Sequence, residues 1–288
     1  MSGAVAAAPC SVGIGGDPDG LVGPDRLAAS AADAGYAGLD LGPPGYLDAG
    51  RGLAARLEER GLGICGAWTT IGEAGTADAL AFALDACDAS TGLFGDLPAP
   101  RPTLAAPEPA GARLGAPVRL VGDDWHRLMR QIGDAAAQCR ARGYEPVFHP
   151  HVATAVETPE DTDRFLEDTD IDLCFDPGHV ALGGGDDVLG LLDRWRQRVT
   201  HLHLKNVRMD LVGQLRDSRA EPGDTWHSGV FSPLDAGDLD LTAVLARMRG
   251  FGGWVVIEQD AAVPDDAAAA RALDDQRRNL GTLRRWGW

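Results

Sequence analysis

The sequence predicts an α/β protein, a single (β/α)8 barrel occupying residues 1–288 as one domain. Three observations lead there. Short apolar runs alternate with longer amphipathic segments along the whole chain, the rhythm of repeated strand–helix units. No GxGxxG or P-loop follows the first apolar run, and "GIGGDPDG" (13–20) is glycine-rich with the wrong spacing, so the phosphate signature usual in the open doubly wound alternative is missing. Finally, 288 residues that are 44% apolar suit one closed barrel with a sizeable core.

Strands are expected near 10–15 ("CSVGIG"), 38–42 ("GLDLG"), 62–68 ("LGICGAW") and 102–106 ("PTLAA"), then near 145–150 ("EPVFHP"), 172–176 ("DLCFD"), 199–204 ("VTHLHL") and 253–258 ("GWVVIE"). Between them "PDRLAASAADAG", "GLAARLEERG", "TADALAFALDACDAS" and "DDWHRLMRQIGDAAAQCRARG" carry apolar residues at helical spacing. Gly35, Gly61 and Gly143 stand where helix C-caps are expected. In "TPEDTDRFLED", Thr158 suits an N-cap, Pro159 suits the first turn, and acids follow. Two segments break the rhythm. Residues 107–123, rich in Pro, Gly and Ala, read as an irregular loop. Residues 205–237, which hold "WHSGVFSPLDAG", are long enough to be either disordered or a functional lid.

The net charge of −17 argues against a nucleic-acid partner, which would need clustered Lys and Arg. The five cysteines are odd in number and form no CxxC, so neither a disulfide framework nor a zinc knuckle is indicated. Reduced thiols in a cytoplasmic protein are the simpler expectation. "MSGAVAAAPC" has no basic n-region, and no apolar stretch is long enough to cross a bilayer. A small-molecule partner remains, with no nucleic acid and no membrane, and homo-oligomerisation is left open.

Polar residues gather where the last four strands end. The fifth ends in "FHPH" (His149, His151), the sixth in "FDPGH" (Asp176, His179), the seventh in "HLHLKN" (His201, His203, Lys205) and the eighth in "IEQD" (Glu258, Asp260). Active sites of such barrels lie at that rim. Each motif has an ordinary reading taken singly: a hydrogen-bonded His pair, an Asp-initiated turn, a surface strand end. Their convergence from consecutive strands favours a mixed N/O pocket for a divalent ion such as Mn²⁺, Co²⁺, Fe²⁺ or Zn²⁺.

"VFHPHVATAVETPEDTDRFLEDTDIDLCFDPGHVALGGGD", "VTHLHLKNVR" and "SGVFSPLDAGDLDLTAVLARMRGFGGWVVIEQD" resemble the xylose isomerase-like sugar isomerase/epimerase superfamily, and within it the inosose dehydratases. "AADAGYAGLDLG" and "RLEERGLGICGAW" agree more loosely. The resemblance implies one divalent ion, Mn²⁺ first with Co²⁺, Fe²⁺, Mg²⁺ or Zn²⁺ as alternatives. It implies Asp176, His203 and Glu258 as ligands, with His149 in a slot that is a carboxylate in the wider superfamily; His151 competes for that slot. It also implies substrate-facing roles for His179 and Lys205. Three features depart from the dehydratase pattern. Asn206 follows "HLK" in place of Asp, "GVFSPLDAGD" replaces "GVFTVPGDG", and "GIGGDPDG" replaces an Asn-Trp loop.

The implied chemistry is proton abstraction beside a carbonyl and loss of a β-substituent from a keto-cyclitol or keto-sugar, a polyhydroxy carbonyl compound. Glu258 would be the base, and His151, His179 or Lys205 the proton donors. Trp68, Trp226 and Phe231 are expected as apolar walls against a ring. Ketose isomerisation or epimerisation, and β-elimination from an oxidised glycoside, share the first step. A non-enzymatic sugar-binding barrel gives no reason for four convergent ligands. A DNA-repair endonuclease is disfavoured by the acidity and by too few ligands for a trinuclear centre.

Overall fold

In the computed structural model, which describes residues 3–15, 18–48 and 52–288, eight parallel strands close into a barrel. They are β1 (Ala4–Ala7), β2 (Gly38–Asp40), β3 (Gly63–Thr70), β4 (Arg101–Ala105), β5 (Val147–Phe148), β6 (Asp172–Phe175), β7 (Val199–Leu204) and β10 (Trp254–Ile257). The order runs β1-β10-β7-β6-β5-β4-β3-β2, so first and last strands pair and close the sheet. Around it lie α1 (Pro24–Ala34), α2 (Gly52–Arg60), α3 (Thr76–Ser90), α4 (Gly122–Ala141), α5 (Pro159–Asp168), α6 (Pro177–Leu182), α7 (Val188–Trp195), α10 (Leu241–Arg247) and α11 (Asp266–Arg285). The (β/α)8 expectation holds.

The first strand is not where the sequence placed it. Residues 10–15 begin inside a 3-10 turn, Pro9–Val12, that ends on left-handed Gly13, and the strand is the preceding "AVAA". Pro9 has no N–H to give a ladder and its fixed φ suits a turn. The weakly apolar alanines form the strand because a neighbour fills the space above them. On β1, β3 and β10 alternate residues (Ala6, Ala8, Cys65, Trp254, Val256) pack together inside the barrel, while Ala7, Ile64, Val255 and Ile257 face the helices. The Trp254 indole lies across the lower end and donates to the Pro98 carbonyl at 3.0 Å. Gly38 permits this, since a Cβ there would come within 2.8 Å of the indole and 2.7 Å of the Gly63 carbonyl oxygen.

The helix signals are met with physical reasons. Thr158 and Asp161 form a reciprocal capping box at α5. Gly35, Gly61 and Gly143 all have positive φ. Residues 106–121 are irregular apart from one isolated bridge, Arg113 to Ala116. The segment after β7, expected to be a disordered stretch or a lid, is ordered. It forms β8 (Asn206–Val207), α8 (Met209–Asp217), α9 (Asp224–Ser228) and β9 (Phe231–Ser232), with β8 and β9 antiparallel. Asn206 pins it: its amide donates to the Leu234 carbonyl at 2.8 Å and its oxygen accepts from Leu239 N at 3.0 Å. An ionised Asp here could not donate the bond to Leu234. Gly16 and Asp17 of "GIGGDPDG" lie outside the described residues.

Candidate active site

A cavity of about 640 Å³ opens at the C-terminal ends of the strands. His149, His151, His179, His203, Lys205, Glu258 and Asp260 line it, with Trp68 and Trp226 in its walls. The rim is built by strand alternation: His203 follows His201 on the same face of β7, and Glu258 follows Val256 on β10.

Asp176 sits just beneath, its side chain fully buried, where β6 passes into α6. Its two oxygens are divided. Oδ1 accepts from Gly178 N (2.8 Å) and His179 N (3.1 Å) and so caps α6, the ordinary turn role of an Asp in "DPGH". Oδ2 has no hydrogen-bond partner and faces His149 Nε2 at 3.8 Å, His179 Nε2 at 3.7 Å and His203 Nδ1 at 4.0 Å. His203 Nδ1 is also 3.1 Å from Glu258 Oε2. Asp176, His203 and Glu258 each offer a ligand atom within 4.8 Å of the others, and so do His149, Asp176 and His179.

This donor set fits a divalent cation. Asp176 Oδ2 and His203 Nε2 are buried without hydrogen-bond partners, and buried polar atoms are rarely left so without cause. The set mixes imidazole and carboxylate, which suits Mn²⁺, Fe²⁺, Co²⁺ or Zn²⁺. His149 Nδ1 bonds the Pro150 carbonyl at 2.8 Å, and because a carbonyl only accepts, Nε2 presents its lone pair. His151 is held alike by the Val152 carbonyl at 2.8 Å but belongs to none of the close donor groups among the described residues. Its ring packs at 3.8 Å from that of His179.

Lys205 is the electrostatic hub. Its buried Nζ lies 2.9 Å from Glu258 Oε2, 3.0 Å from Asp260 Oδ2, 3.4 Å from Asp176 Oδ2 and 2.8 Å from His179 Nε2. Burial works against the ammonium, but Asp176, Asp260 and Glu258 outweigh it and hold its pKa well above the ordinary value. Glu258 is driven the other way: burial favours its acid form, yet His203 and Lys205 keep its pKa well below the usual range. Burial pushes His151 down to about 3, aided by His149 and Lys205, and pushes His149 and His179 down as well, so these three imidazoles are neutral.

Phe231 does not form cavity wall; it packs behind the site, its ring 4.9 Å from Lys205 Nζ and 5.9 Å from the His179 ring. Trp226, on α9, stands over Gly15 of the first-strand loop. Sequence reasoning overlooked Asp40, which ends β2, lines the cavity, and has its pKa raised by burial to about 6. An acid closing "GLD" is the available signal, a single strand-end carboxylate with no partner motif beside it. Asp260 reads from the sequence as a strand end, and the structure makes it a partner of Lys205.

A model of the xylose isomerase-like TIM barrel matches residues 28–279. The chain belongs to that family. Inosose dehydratase of Geobacillus kaustophilus (strain HTA426) is 35% identical over 152 residues, covering 50% of this chain and 49% of that protein. The rhizopine catabolism protein MocC of Rhizobium meliloti is 34% identical over 146 residues, covering 49% and 45%. The matched region thus spans about half the length of these curated relatives. Among solved structures, the probable 3-DHS dehydratase AsbF from Bacillus anthracis superposes with a TM-score of 0.70 at 13% identity, covering 97% of this chain and 98% of that one. An L-ribulose 3-epimerase superposes at 0.61 with 17% identity, covering 99% and 94%. At such identities these two speak for the fold. In this member of the xylose isomerase-like family, no helix among the described residues is long and apolar enough to cross a membrane.

Proposed function

We propose that the protein is a metal-dependent lyase that removes a proton alpha to a carbonyl and eliminates a β-hydroxyl from a keto-cyclitol or keto-sugar. The observation that carries this reading is the buried Asp176–His203–Glu258 group, with an orphaned carboxylate oxygen, beside a protonated Lys205 at the floor of a carbohydrate-sized cavity. Relatives named inosose dehydratase support the choice of reaction. Asp176, His203, Glu258 and His149 would hold the ion, Mn²⁺ by preference. When bound, that ion would act as a Lewis acid toward the substrate carbonyl.

The chain's own groups supply the proton transfers. Glu258, kept ionised by Lys205 and His203, receives the α-proton. Lys205 donates the proton needed by the departing hydroxyl, directly or through His179, to which it is joined at 2.8 Å. His151, neutral and packed at a tilt against His179, orients the substrate hydroxyls, and Trp68 and Trp226 shield the ring from water. Two-base epimerisation is less well served. The fifth strand offers neutral His149 where a second carboxylate base would be wanted.

A second reading is elimination from an oxidised glycoside. The cavity falls within the roughly 300–1,000 Å³ that holds drug-sized ligands and so has room beside one ring. The five cysteines are all free thiols, in keeping with a reducing, cytoplasmic setting.

The test is incubation of Mn²⁺-loaded protein with scyllo-inosose, followed by ultraviolet absorption of the unsaturated or diketone product. An epimer without absorbance would replace the lyase reading, and turnover only of a 3-keto-glycoside would select the second.

A further inference from the structure

We propose that His149, Cys174 and His203 form a second cation position, deeper in the barrel than Asp176, which takes a thiophilic divalent ion such as Cd²⁺ or Zn²⁺ and cannot be filled together with the upper one. Each of the three offers a ligand atom within 4.8 Å of the others, and all three are buried. Cys174 precedes Asp176 by two residues, so it points to the same interior face of β6 one step further from the mouth. His203 Nε2 is buried with no hydrogen-bond partner, and His149 Nε2 has its lone pair free.

Ligand chemistry separates the two positions. The upper one has two carboxylates with His203 and His149; the lower one has the same two imidazoles and a sulfur, and thiolate selects softer ions. On binding, the thiol proton and one imidazolium proton of His203 are released to solvent as the sulfur–metal and nitrogen–metal bonds form. A fourth donor is at hand in Asp176 Oδ2, 3.8 Å from His149 Nε2, or in water. Exclusion follows because His149 and His203 belong to both positions and each can serve only one ion. The inference shares residues with the proposed metal group but does not depend on the reaction.

The experiment reads the sulfur directly. Chelator-treated protein is titrated with Cd²⁺ while thiolate-to-cadmium charge-transfer absorption is followed in the ultraviolet. The wild type is expected to develop the band with one equivalent. Cys174→Ser, which keeps the volume, and Cys174→Ala should both lose it. Cys10→Ala should keep it, although Cys10 belongs to another close group with Glu258 and Asp260. Glu258→Gln should keep the cadmium band while losing Mn²⁺ binding measured by electron paramagnetic resonance. No band in the wild type, a band surviving in both Cys174 variants, or its loss in Cys10→Ala or Glu258→Gln would overturn the proposal. Wild-type protein holding the full band and bound Mn²⁺ together would overturn the exclusion. Because none of these readouts is turnover, inactivity toward scyllo-inosose would leave the inference untouched.

Discussion

Replacing Lys205 by Met removes one positive charge from among three buried carboxylates while leaving the stem's volume in place. Nζ stands 2.9, 3.0 and 3.4 Å from Glu258, Asp260 and Asp176, with its side chain 2% exposed, so solvent cannot take over its role. Breaking a buried pair by deleting one partner costs about 3–5 kcal/mol. For a chain of this size that is a fall in melting temperature of roughly 6–10 °C. The pH dependence has a definite sign. In the wild type the folded pKa values of Asp176 and Glu258 lie below the ordinary range. Their stabilisation is therefore present above the unfolded carboxylate pKa and disappears only as pH falls through the depressed folded values. In Lys205→Met the same carboxyls rise above their unfolded values, so folding loses stability as pH increases through the raised folded values. The deficit relative to wild type must then be larger at pH 8 than at pH 5. Thermal unfolding followed by circular dichroism in chelator, at both pH values, checks this, and added Mn²⁺ should restore more stability to the variant than to the wild type. A variant within about 1 kcal/mol of wild type at pH 8 would refute the hub described for Lys205.

Further perturbations separate the other parts. Asp176→Asn keeps an oxygen to cap α6 while losing the charge on Oδ2, so Mn²⁺ binding should fall with little change in folding. Asp176→Ala should cost about 1 kcal/mol more in chemical denaturation, the value of a lost cap. Burial pushes the Asp40 carboxyl up from the ordinary 3.8 to about 6, so its ionisation opposes folding as pH rises through that interval. Asp40→Asn in chelator should therefore stabilise the protein at pH 8, by up to about 3 kcal/mol at 1.36 kcal/mol per unit, and have little effect at pH 4. Trp254→Ala should cost about 3–5 kcal/mol in denaturant titrations, since the ring is fully buried and hydrogen-bonded.

Most of the barrel was legible because β6, β7 and β10 carry bulky apolar residues bounded by turn signals, and because Thr158-Pro159 and the glycine caps act through local backbone geometry. β1 was not legible. Three alanines and one valine become a strand only through Trp254 and the neighbouring strands, a contact some 250 residues away in the chain. The ordered segment after β7 was hidden for the same reason, since its pin, Asn206, bonds residues 28 and 33 positions on. In the candidate site, the convergence of Asp176, His203 and Glu258 could be expected from strand-end positions. The divided role of the Asp176 oxygens, and the placing of Lys205 between three acids, depend on side-chain directions that spacing does not encode. Asp40 escaped because one acid at a strand end has no pattern of its own.

Trp254 lines a lower hollow of about 380 Å³ and is absent from the lining of the upper chamber. Among the described residues the two hollows share no lining residue, and the indole closes the lower end of the barrel between them. Reactant and product would then share the opening beside Trp68 and Trp226, and an inhibitor lodged under Trp226 would block arrival and departure alike.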